Sequence, residues 1–511
     1  MWLITNILLS ITFVSIVYLG FQELLGYLRL LHYRRQGIKS AKYDFWIFHI
    51  FKSLKDIRNG DLYRKSRTAL MARDAKQPFY VKNEGSGCTL TLTSPEAAKE
   101  FFRIETDVAI KKMPFTIPYL GFFFENGPAA VEARNDFAKM FHYSNVVKLM
   151  PQLRSVIRRH VKALKNKVIS TKDGRLKINI KKDVLEPMFD DMTAYILFTG
   201  SEDKIMEKFE GMSISQILKK LFLNITKYDM SLISKLPFAA SLGLSAPVNE
   251  MRRLTSGFNK IIENEYKKKL EKADSNLADD SILEIMMRIN KETKEKTGMP
   301  KYSMEDIGSN FQVFQFGASD TSYQSSSSNL LLLALPKHQE YQDRLREEIR
   351  TNLMEGRVTR DYNCDDISNL PYLQQIFCET IRLANPVIEL PPRFAIKDFD
   401  LCGAKVLKGD KIRNFLVGFQ PEFYENPMEY NPDRFNAENK QKIPYMKFRP
   451  FSHGKRNCIG KYFGELMVKL VISELLAVLK FEAKEDYQMK WGLCPMYGLL
   501  DAEVWVRLLK E

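Results

Sequence analysis

Five residues near the C-terminal end of this 511-residue chain restrict its fold more than any other feature. They are Phe451, Gly454, Arg456, Cys458 and Gly460, which form the pattern FxxGxRxCxG just before an apolar helical repeat. The glycines allow close backbone approach, and the arginine offers a cation to a carboxylate. A cysteine at a helix N-terminus is favoured as a thiolate by free amides and the helix dipole. The pattern predicts an anionic ligand at Cys458; the alternative, an inert buried cysteine, requires neither the glycines nor the arginine.

A second constraint lies at the N-terminus, where residues 1–22 carry no charged side chain. The apolar run at 2–21 is long enough to cross a bilayer as a helix, and no basic segment precedes it as in a cleaved signal. Basic residues such as Arg34 and Arg35 follow it, which favours a cytosolic body. The sequence therefore predicts a membrane anchor at 1–25 and one catalytic domain at 26–511. The alternative is a buried amphipathic helix, since several Ser, Thr and Asn residues dilute the run.

The remainder is typical of one large unit, without internal repeats or a Gly/Ser-rich linker. Helical periodicity dominates 149–164, 251–270, 303–335 and 341–354, whereas 79–93 and 393–417 alternate as short strands. The predicted class is mainly α with a smaller β region. Six cysteines without a CxxC pair indicate a reducing compartment. The excess of 77 Lys and Arg over 62 Asp and Glu favours anionic partners without choosing among them.

The segment 303–335 is unusual, because polar residues interrupt a helix of about 50 Å, long enough to traverse a domain. Ser303 as N-cap and Pro336 as a stop set its limits. Its middle, GASDTS at 317–322, is followed by four serines at 325–328, which are poor helix formers. Two interpretations stay open: hydroxyl groups that bond back to carbonyls and bend the helix, or a cavity where an acid and an alcohol face a ligand.

Together these motifs make the chain resemble the cytochrome P450 superfamily, whose haem-binding loop has the FxxGxRxCxG pattern. Glu379 and Arg382 match its ExxR motif, and Arg434 lies in NPDRF, similar to its PxRF element. In the family these three residues form a buried ion-pair cluster behind the haem, whereas an isolated i,i+3 pair is nearly always a weak surface bridge. GASDTS is similar to the family's central-helix AGxDTT. The shared order of the four elements along the chain supports the resemblance.

The resemblance implies roles for the matched residues. Cys458 would be the axial thiolate of haem b, and Asp320 and Thr321 would face the distal side and deliver protons there. Arginines would pair with the haem propionates through their planar forks. The predicted haem-binding residues are Cys458, Arg456, Arg393, Arg134, Phe451, Gly454 and Gly460. Arg134 matches the family's WxxxR helix only in part, because Ala130 stands at the tryptophan position.

Two departures from the family pattern concern the membrane and the oxygen site. The proline-rich hinge that usually follows a microsomal anchor is missing, since 34–46 contains no proline. Ala318 replaces the commoner glycine of the central helix and adds a methyl group beside the oxygen site. Candidate substrate-lining segments are 117–126, 311–316, 387–390 and 494–499, each of which could equally be ordinary core.

The predicted protein is a membrane-anchored haem-thiolate monooxygenase of the endoplasmic reticulum that inserts one oxygen atom of dioxygen into an apolar substrate. Electrons would come from NADPH through a flavoprotein reductase, with cytochrome b5 as a second partner, and nucleic acid is not expected. Lys455, Lys461 and Lys469 near Cys458 suit an acidic reductase. Two alternatives remain: a family member that rearranges peroxides without a reductase, which would tend to lose the acid and alcohol, or a membrane haem protein that carries electrons or senses a gas.

Overall fold

The computed structural model describes residues 2–40, 77–84, 86–112, 121–199, 208–229, 243–272, 281–356, 358–387, 389–414, 424–493 and 497–509. Within these ranges the chain is mainly helical, as predicted. The α-helices are α1 (Trp2–Arg35), α2 (Pro95–Val108), α3 (Gly121–Phe124), α4 (Gly127–Ala138), α5 (Tyr143–Ile169), α6 (Glu186–Ala194), α7 (Ile214–Asp229), α8 (Ala246–Lys272), α9 (Ile282–Thr297), α10 (Met304–Gln315), α11 (Thr321–Ala334), α12 (Gln339–Leu353), α13 (Cys364–Ser368), α14 (Pro371–Ala384), α15 (Ala437–Lys440) and α16 (Lys461–Leu476).

The strands form one five-stranded sheet and several smaller ones. They are β1 (Phe79–Glu84), β2 (Gly87–Leu92), β3 (Ala109–Lys111), β4 (Arg175–Asn179), β5 (Met354–Glu355), β6 (Val358–Thr359), β7 (Arg393–Ala395), β8 (Phe399–Leu401), β9 (Ala404–Val406), β10 (Lys411–Asn414), β11 (Leu479–Glu482), β12 (Trp491–Leu493), β13 (Tyr497–Leu499) and β14 (Glu503–Leu508). The large sheet has the order β1-β2-β10-β7-β3, and a three-stranded sheet has the order β11-β14-β4. The predicted strands at 79–93 and 393–417 are confirmed over the described residues.

Two hydrophobic clusters correspond to the helical and the β parts of the chain. The larger cluster includes buried residues of α5, α10, α11, α14 and α16, while the smaller one joins the five-stranded sheet to α2 and to the end of α1. Alternating burial along β1 puts Phe79 and Val81 in the smaller core, as the period-2 pattern requires. Haem-site candidates come from both parts, because Arg393 begins β7 and Cys458 precedes α16.

The predicted central helix is present as α10, a π-helical turn at Phe316–Asp320, and α11. Ser303 caps it: its side chain accepts from the backbone N–H of Asp306, whose carboxylate accepts from the Ser303 backbone. This reciprocal capping box satisfies two free amides at the helix start. Ala334 ends α11 two residues before Pro336, so both predicted limits of the helix are confirmed.

Helix α1 continues beyond the apolar run and reaches Arg35 without a break. Within the described residues, Phe13–Arg35 is a stretch long and apolar enough to cross a membrane, and only 17 % of its most apolar window is buried. A buried core helix, the alternative considered for this segment, does not fit that exposure. Residues from Gly26 onward pack on the large sheet, where Leu30 and Tyr33 are fully buried.

Candidate functional site

Cys458 lies in the loop that leads into α16, and its side chain is exposed on one side. Its backbone N–H donates to the carbonyl oxygen of Phe451 at 2.9 Å, which closes the loop. The Phe451 ring stacks on Phe377 of α14, with ring centroids 6.4 Å apart. Backbone bonding and aromatic packing therefore fix the loop and leave the thiol accessible.

The two glycines of this loop have separate structural roles. Gly454 has φ +79°, in the left-handed region, and a Cβ there would lie 3.4 Å from both the backbone oxygen and the Cβ of Phe102. The backbone of Gly460 forms a hydrogen bond that lowers the pKa of the Cys458 thiol. Tight backbone approach was predicted for both glycines; it is present at Gly454, whereas at Gly460 a Cβ would make only ordinary contacts with Phe141, at 3.6 Å.

The electrostatic prediction for Cys458 needs a correction. Desolvation by the surrounding protein raises the pKa of its thiol, and this outweighs the hydrogen bond from Gly460 and the charges of Arg134 and Lys461. Helix α16 begins three residues later, so the sulfur is not at its first turn. A bound metal ion would remove the proton, as it does from coordinated thiols in general.

Three predicted propionate ligands lie together with one lysine in what we call the open cluster: Lys111, Arg134, Arg393 and Arg456. The charges of the three arginines all act on Lys111. Arg393 forms a buried ion pair with Glu105 and donates from Nη1 to the carbonyl oxygen of Pro391 at 2.5 Å. Arg456 donates from Nη2 to the carbonyl oxygen of Glu125 at 2.5 Å.

Arg134 faces the cysteine loop. Its guanidinium donates to the backbone carbonyl of Asn457 at 2.9 Å and to the side-chain oxygen of the same residue at 2.6 Å. Both hydrogen bonds hold Asn457, the residue directly before Cys458. Arg134 thus couples α4 to the thiol loop, which the partial WxxxR match could not show.

Sequence reasoning missed Lys111, the last residue of β3. Its ammonium group donates to the carbonyl oxygen of Phe123 at 2.7 Å and lies 3.7 Å from the centroid of the Phe123 ring. Burial holds the pKa of Lys111 well below its usual value, and the positive charges of Arg393 and Arg456 lower it further. The one feature of the sequence that could have indicated Lys111 as a site residue is its place in a short buried strand, because an unpaired cation is rare there.

The charge balance of the open cluster is the test of whether the chain fits a haem. In the described part of the chain, Arg393 is paired with Glu105, whereas Lys111, Arg134 and Arg456 donate to carbonyl or amide oxygens and contact no carboxylate. Desolvation lowers the pKa of Arg134 and Arg456 as well, so the cluster is unfavourable without an anion. Two propionates would supply the missing negative charge. The residues present therefore fit the group that the resemblance implies.

The second charge cluster, here called the closed cluster, consists of Glu379, Arg382 and Arg434. Arg382 binds the Glu379 carboxylate through Nε at 2.7 Å and Nη2 at 2.8 Å, and neither side chain is accessible to solvent. Arg434 Nε lies 3.4 Å from the same carboxylate. Remaining Arg382 donors bind the carbonyl oxygens of Pro427 and Glu429. The three residues lie together, as the resemblance implies. Burial of Glu379 and Arg382 distinguishes this cluster from an ordinary surface ion pair.

The central helix changes geometry at GASDTS. Thr321 Oγ1 donates to the carbonyl oxygen of Gly317 at 2.6 Å, and Ser325 Oγ donates to that of Thr321 at 2.7 Å. Back-bonding of this kind accompanies the π-helical turn at Phe316–Asp320. Gly317 is exposed, and Ala318 and Thr321 are half-buried, so one face of the turn is open. Back-bonding of hydroxyl groups, the first interpretation of this segment, is therefore present, and the ligand cavity stays a prediction.

Asp320 does not share the open face with Thr321, contrary to the expectation that both line the distal side. Its side chain is buried and accepts a hydrogen bond from the hydroxyl of Tyr323, one turn along α11. Lys181 and Lys219 place their ammonium groups 5.7 and 5.4 Å from the centroid of the Tyr323 ring. The acid is therefore held inside the protein, in a polar cluster, while the alcohol faces the open side.

The predicted substrate-lining segments are largely aromatic core where they are described. Phe311 packs on Phe198 at 5.0 Å between centroids, and Phe314 contacts Phe122 and Phe137 at 5.4 and 4.9 Å. Residues 117–120, 388 and 494–496 lie outside the described residues. Segments 121–126 and 311–316 do meet, since Asn310 accepts from the Phe122 backbone at 2.8 Å.

The basic surface proposed around Cys458 is smaller than predicted. Lys455 and Lys461 are exposed, but Lys469 is buried, with its ammonium group paired to Glu465 at 2.8 Å and hydrogen-bonded to Gln374. The position of Lys469 on α16 directs its side chain toward α14. Lys469 therefore cannot contact a docking partner.

Comparison with known proteins agrees with this geometry. Residues 65–500 match the family model described as "Cytochrome P450". The chain is similar to cytochrome P450 4F5 of Rattus norvegicus, 32% identical over 47% of this chain and 43% of that protein. It is also similar to human cytochrome P450 4F8, 34% identical over 38% of this chain and 37% of the relative. Mouse cytochrome P450 3A41 is 29% identical over 48% of this chain and 47% of its own length.

The fold and the cysteine loop thus define a haem-thiolate type of protein. The chain belongs to the cytochrome P450 family, whose model covers most of its length. Membership implies a haem cofactor, which the exposed thiol and the open cluster fit. Matches to the curated relatives span about half of their length or less.

Proposed function

We propose that the protein is a monooxygenase that uses a haem ligated by Cys458 to insert one oxygen atom of dioxygen into an apolar substrate. The observation that carries the proposal is an accessible thiol in a hydrogen-bonded loop, together with a cluster of four cations in which, among the described residues, Arg393 alone contacts a carboxylate. When bound, the haem supplies the oxygen chemistry, and a cysteine ligand favours O–O cleavage over simple oxygen binding.

The chain's own residues would hold the cofactor and manage protons. Cys458 would bind the haem iron through its sulfur, while Arg393, Arg456 and Lys111 would bind the propionates as charge-assisted donors. Arg134 orients the ligand loop through Asn457. Thr321 presents its hydroxyl oxygen to the open face of the central helix, where it can hold a water molecule for proton transfer.

Asp320 has to act from a buried position behind Thr321. Its hydrogen bond with Tyr323, one helical turn further along, fixes the carboxylate inside the protein. A proton can pass from it to the distal side by a side-chain rotation or through water. Tyr323 is accordingly a positioning residue for the acid.

The location follows from the apolar start of α1 and from the family. We infer an N-terminal anchor in the endoplasmic reticulum membrane with the body in the cytosol, because basic residues follow the apolar run. Electrons then come from NADPH through a flavoprotein reductase, with cytochrome b5 as a possible second donor. Lys455 and Lys461 are exposed beside the thiol loop and suit an acidic partner.

The first test is the carbon monoxide difference spectrum of the reduced, membrane-bound protein. A thiolate opposite carbon monoxide shifts the main haem band far to the red, and Cys458→Ala should abolish this band. Cys402→Ala is the matched control, since Cys402 is half-buried and binds Glu100 in the β part of the chain. A band at the ordinary haem position in the parent protein would leave only a haem carrier or gas sensor.

Proton delivery is tested by Thr321→Ala. We expect haem content to stay at the parental level while reducing equivalents are diverted to peroxide, with coupling lowered about 100-fold, the lower end of the usual range for a proton-transfer group. Product formed per NADPH and peroxide are measured together. Ser322→Ala removes a neighbouring buried hydroxyl and serves as the control. Parental coupling in Thr321→Ala would contradict the assigned route.

A further inference from the structure

Helix α1 has two different environments along its length. Side chains at Phe13, Val17 and Phe21 are more than half exposed, as are others around the helix in that stretch. From Glu23 onward, one stripe becomes buried, at Glu23, Gly26, Leu30 and Tyr33, and from Gly26 it packs on the large sheet. These positions recur at helical spacing, so a single face is docked. The change occurs inside one unbroken helix.

A buried carboxylate, Asp410, joins this docked face to the sheet. It is inaccessible to solvent and accepts hydrogen bonds from Arg29 Nη1 at 2.8 Å, from the Tyr33 hydroxyl at 2.6 Å and from the Cys88 backbone N–H at 2.8 Å. Two of these three partners belong to α1. Without them a buried charge would keep only one described partner, which is strongly unfavourable.

Further bonds tie the end of α1 to the β8–β9 hairpin and the loop that follows it. The side chain of Gln36 accepts from the Lys405 backbone N–H at 2.7 Å, and the His32 ring nitrogen lies 3.0 Å from the carbonyl oxygen of Lys405. Arg29 also donates to the carbonyl oxygen of Lys408 at 2.9 Å. The last turns of α1 are thus part of the body's hydrogen-bonding network.

The length of the apolar helical segment leaves no flexible linker between the proposed anchor and the body. Residues 2–22 would form about 31 Å of helix, which matches a hydrocarbon core of about 30 Å. Glu23, the first residue of the docked stripe, would then lie at the membrane surface. The proline hinge expected between anchor and body is replaced by continuous helix.

We propose that α1 and the catalytic body form one rigid unit, in which Asp410 is the latch that fixes the orientation of the body on the bilayer. This inference rests on the membrane anchoring proposed above. It also connects the anchor to the open cluster, because the backbone of Asp410 accepts from Ala395 N at 2.9 Å, two residues from Arg393 in β7. The body's tilt is then set by the helix instead of by a flexible linker.

The experiment measures the distance distribution between α1 and the body in the full-length haem-loaded protein. Spin labels are introduced as non-natural amino acids at Val17 and Lys296, both exposed, in discs of phosphatidylcholine and phosphatidylserine. The parent should give one narrow distribution. Insertion of three glycines between Gln22 and Glu23 should broaden it on the order of 10 Å, since a glycine segment behaves as a flexible coil.

The latch itself is tested with Arg29→Ala combined with Tyr33→Phe, which leaves the body sequence intact. We expect a distribution broader than the parent's, while Tyr18→Phe with Arg35→Ala, a matched pair away from Asp410, should leave it narrow. Asp410→Asn is the complementary change in the body. If it fails to fold, the α1 double variant still decides the question.

Membrane binding is measured separately, so that the two proposals can fail independently. A parent protein that does not sediment with vesicles of the same lipids would overturn the anchoring itself. Parent protein that binds vesicles but shows a broad distribution would overturn the rigid latch and keep the anchor. An unchanged narrow distribution in the Arg29 and Tyr33 double variant would also overturn the role of Asp410.

Discussion

The closed and open clusters are built from the same kinds of residue but differ in where their charges are directed. In the closed cluster both arginines contact one carboxylate, Glu379, and Arg382 also binds two backbone carbonyls. In the open cluster, Arg393 is the one cation that contacts a carboxylate among the described residues. Lys111, Arg134 and Arg456 donate to carbonyl or amide oxygens instead.

This difference separates a scaffold from a binding site. A buried pair such as Glu379 and Arg382, whose arginine already binds the carboxylate and two backbone carbonyls, adds no affinity for a further ligand, and removing one partner exposes the other to a large desolvation cost. A buried cluster with excess charge is unfavourable until a counter-charge arrives. Buried arginine alone therefore does not identify a site; the balance of charge around it does.

The largest effect is expected in the closed cluster. Glu379→Gln keeps the shape of the side chain but leaves Arg382 buried without its counter-charge, which should cost about 3–5 kcal/mol of stability. The folded, haem-loaded yield and the urea midpoint measure this loss. Glu347→Gln breaks an i,i+3 pair of the same spacing with Arg350 on the surface, and its midpoint should not move. Equal effects of the two changes would remove the distinction between scaffold and surface bridge.

In the open cluster, Lys111→Met should have opposite effects on the free and the haem-loaded protein. Removing one of four mutually repelling cations should raise the stability of the haem-free protein by about 1 kcal/mol. Haem transfer to an acceptor globin should become about tenfold faster, the cost of one charge-assisted bond. Lys112→Met, at the exposed neighbouring position, is the control. A loss of stability in both forms would make Lys111 part of the scaffold.

The smallest effect is a pH dependence in the haem-free protein. The pKa of Lys111 lies well below its ordinary value of 10.5, so the unfolded chain binds the proton over a range where the folded chain has lost it. Stability should therefore rise with pH between the lowered pKa and 10.5, relative to Lys111→Met. Denaturation series at several pH values test this slope. Bound haem should abolish it, because the propionates favour the charged ammonium; an identical slope with haem would separate Lys111 from the propionate site.

Much of the site could be predicted because local spacing specifies it. The FxxGxRxCxG pattern placed Cys458 in a tight loop before a helix, and the ExxR spacing placed Glu379 and Arg382 on one helical face. The capping residue Ser303 and the stop at Pro336 fixed the central helix to its observed limits. Each of these features depends on residues close in sequence, where geometry leaves few alternatives.

Contacts between distant segments account for the features that were missed. Lys111 belongs to the site because β3 pairs with β7, which brings it opposite Arg393. Asp320 was expected to face the distal side with Thr321, but it is buried against Tyr323, whose ring also contacts the remote Lys181 and Lys219. Lys469 was expected on the surface, yet the packing of α16 buries it. None of these positions follows from periodicity alone.

The sequence by itself determined the family, the cysteine loop and the apolar helix at the N-terminus, because these depend on residue type and short-range spacing. Only the tertiary structure decided how charges are shared. The partners of Asp410 and of Lys111 come from segments that are remote along the chain, and burial there makes each missing or added partner energetically decisive. For this reason the closed cluster is part of the structural scaffold, while the open cluster is a proposed haem-binding site. For the same reason the apolar helix is joined to the body.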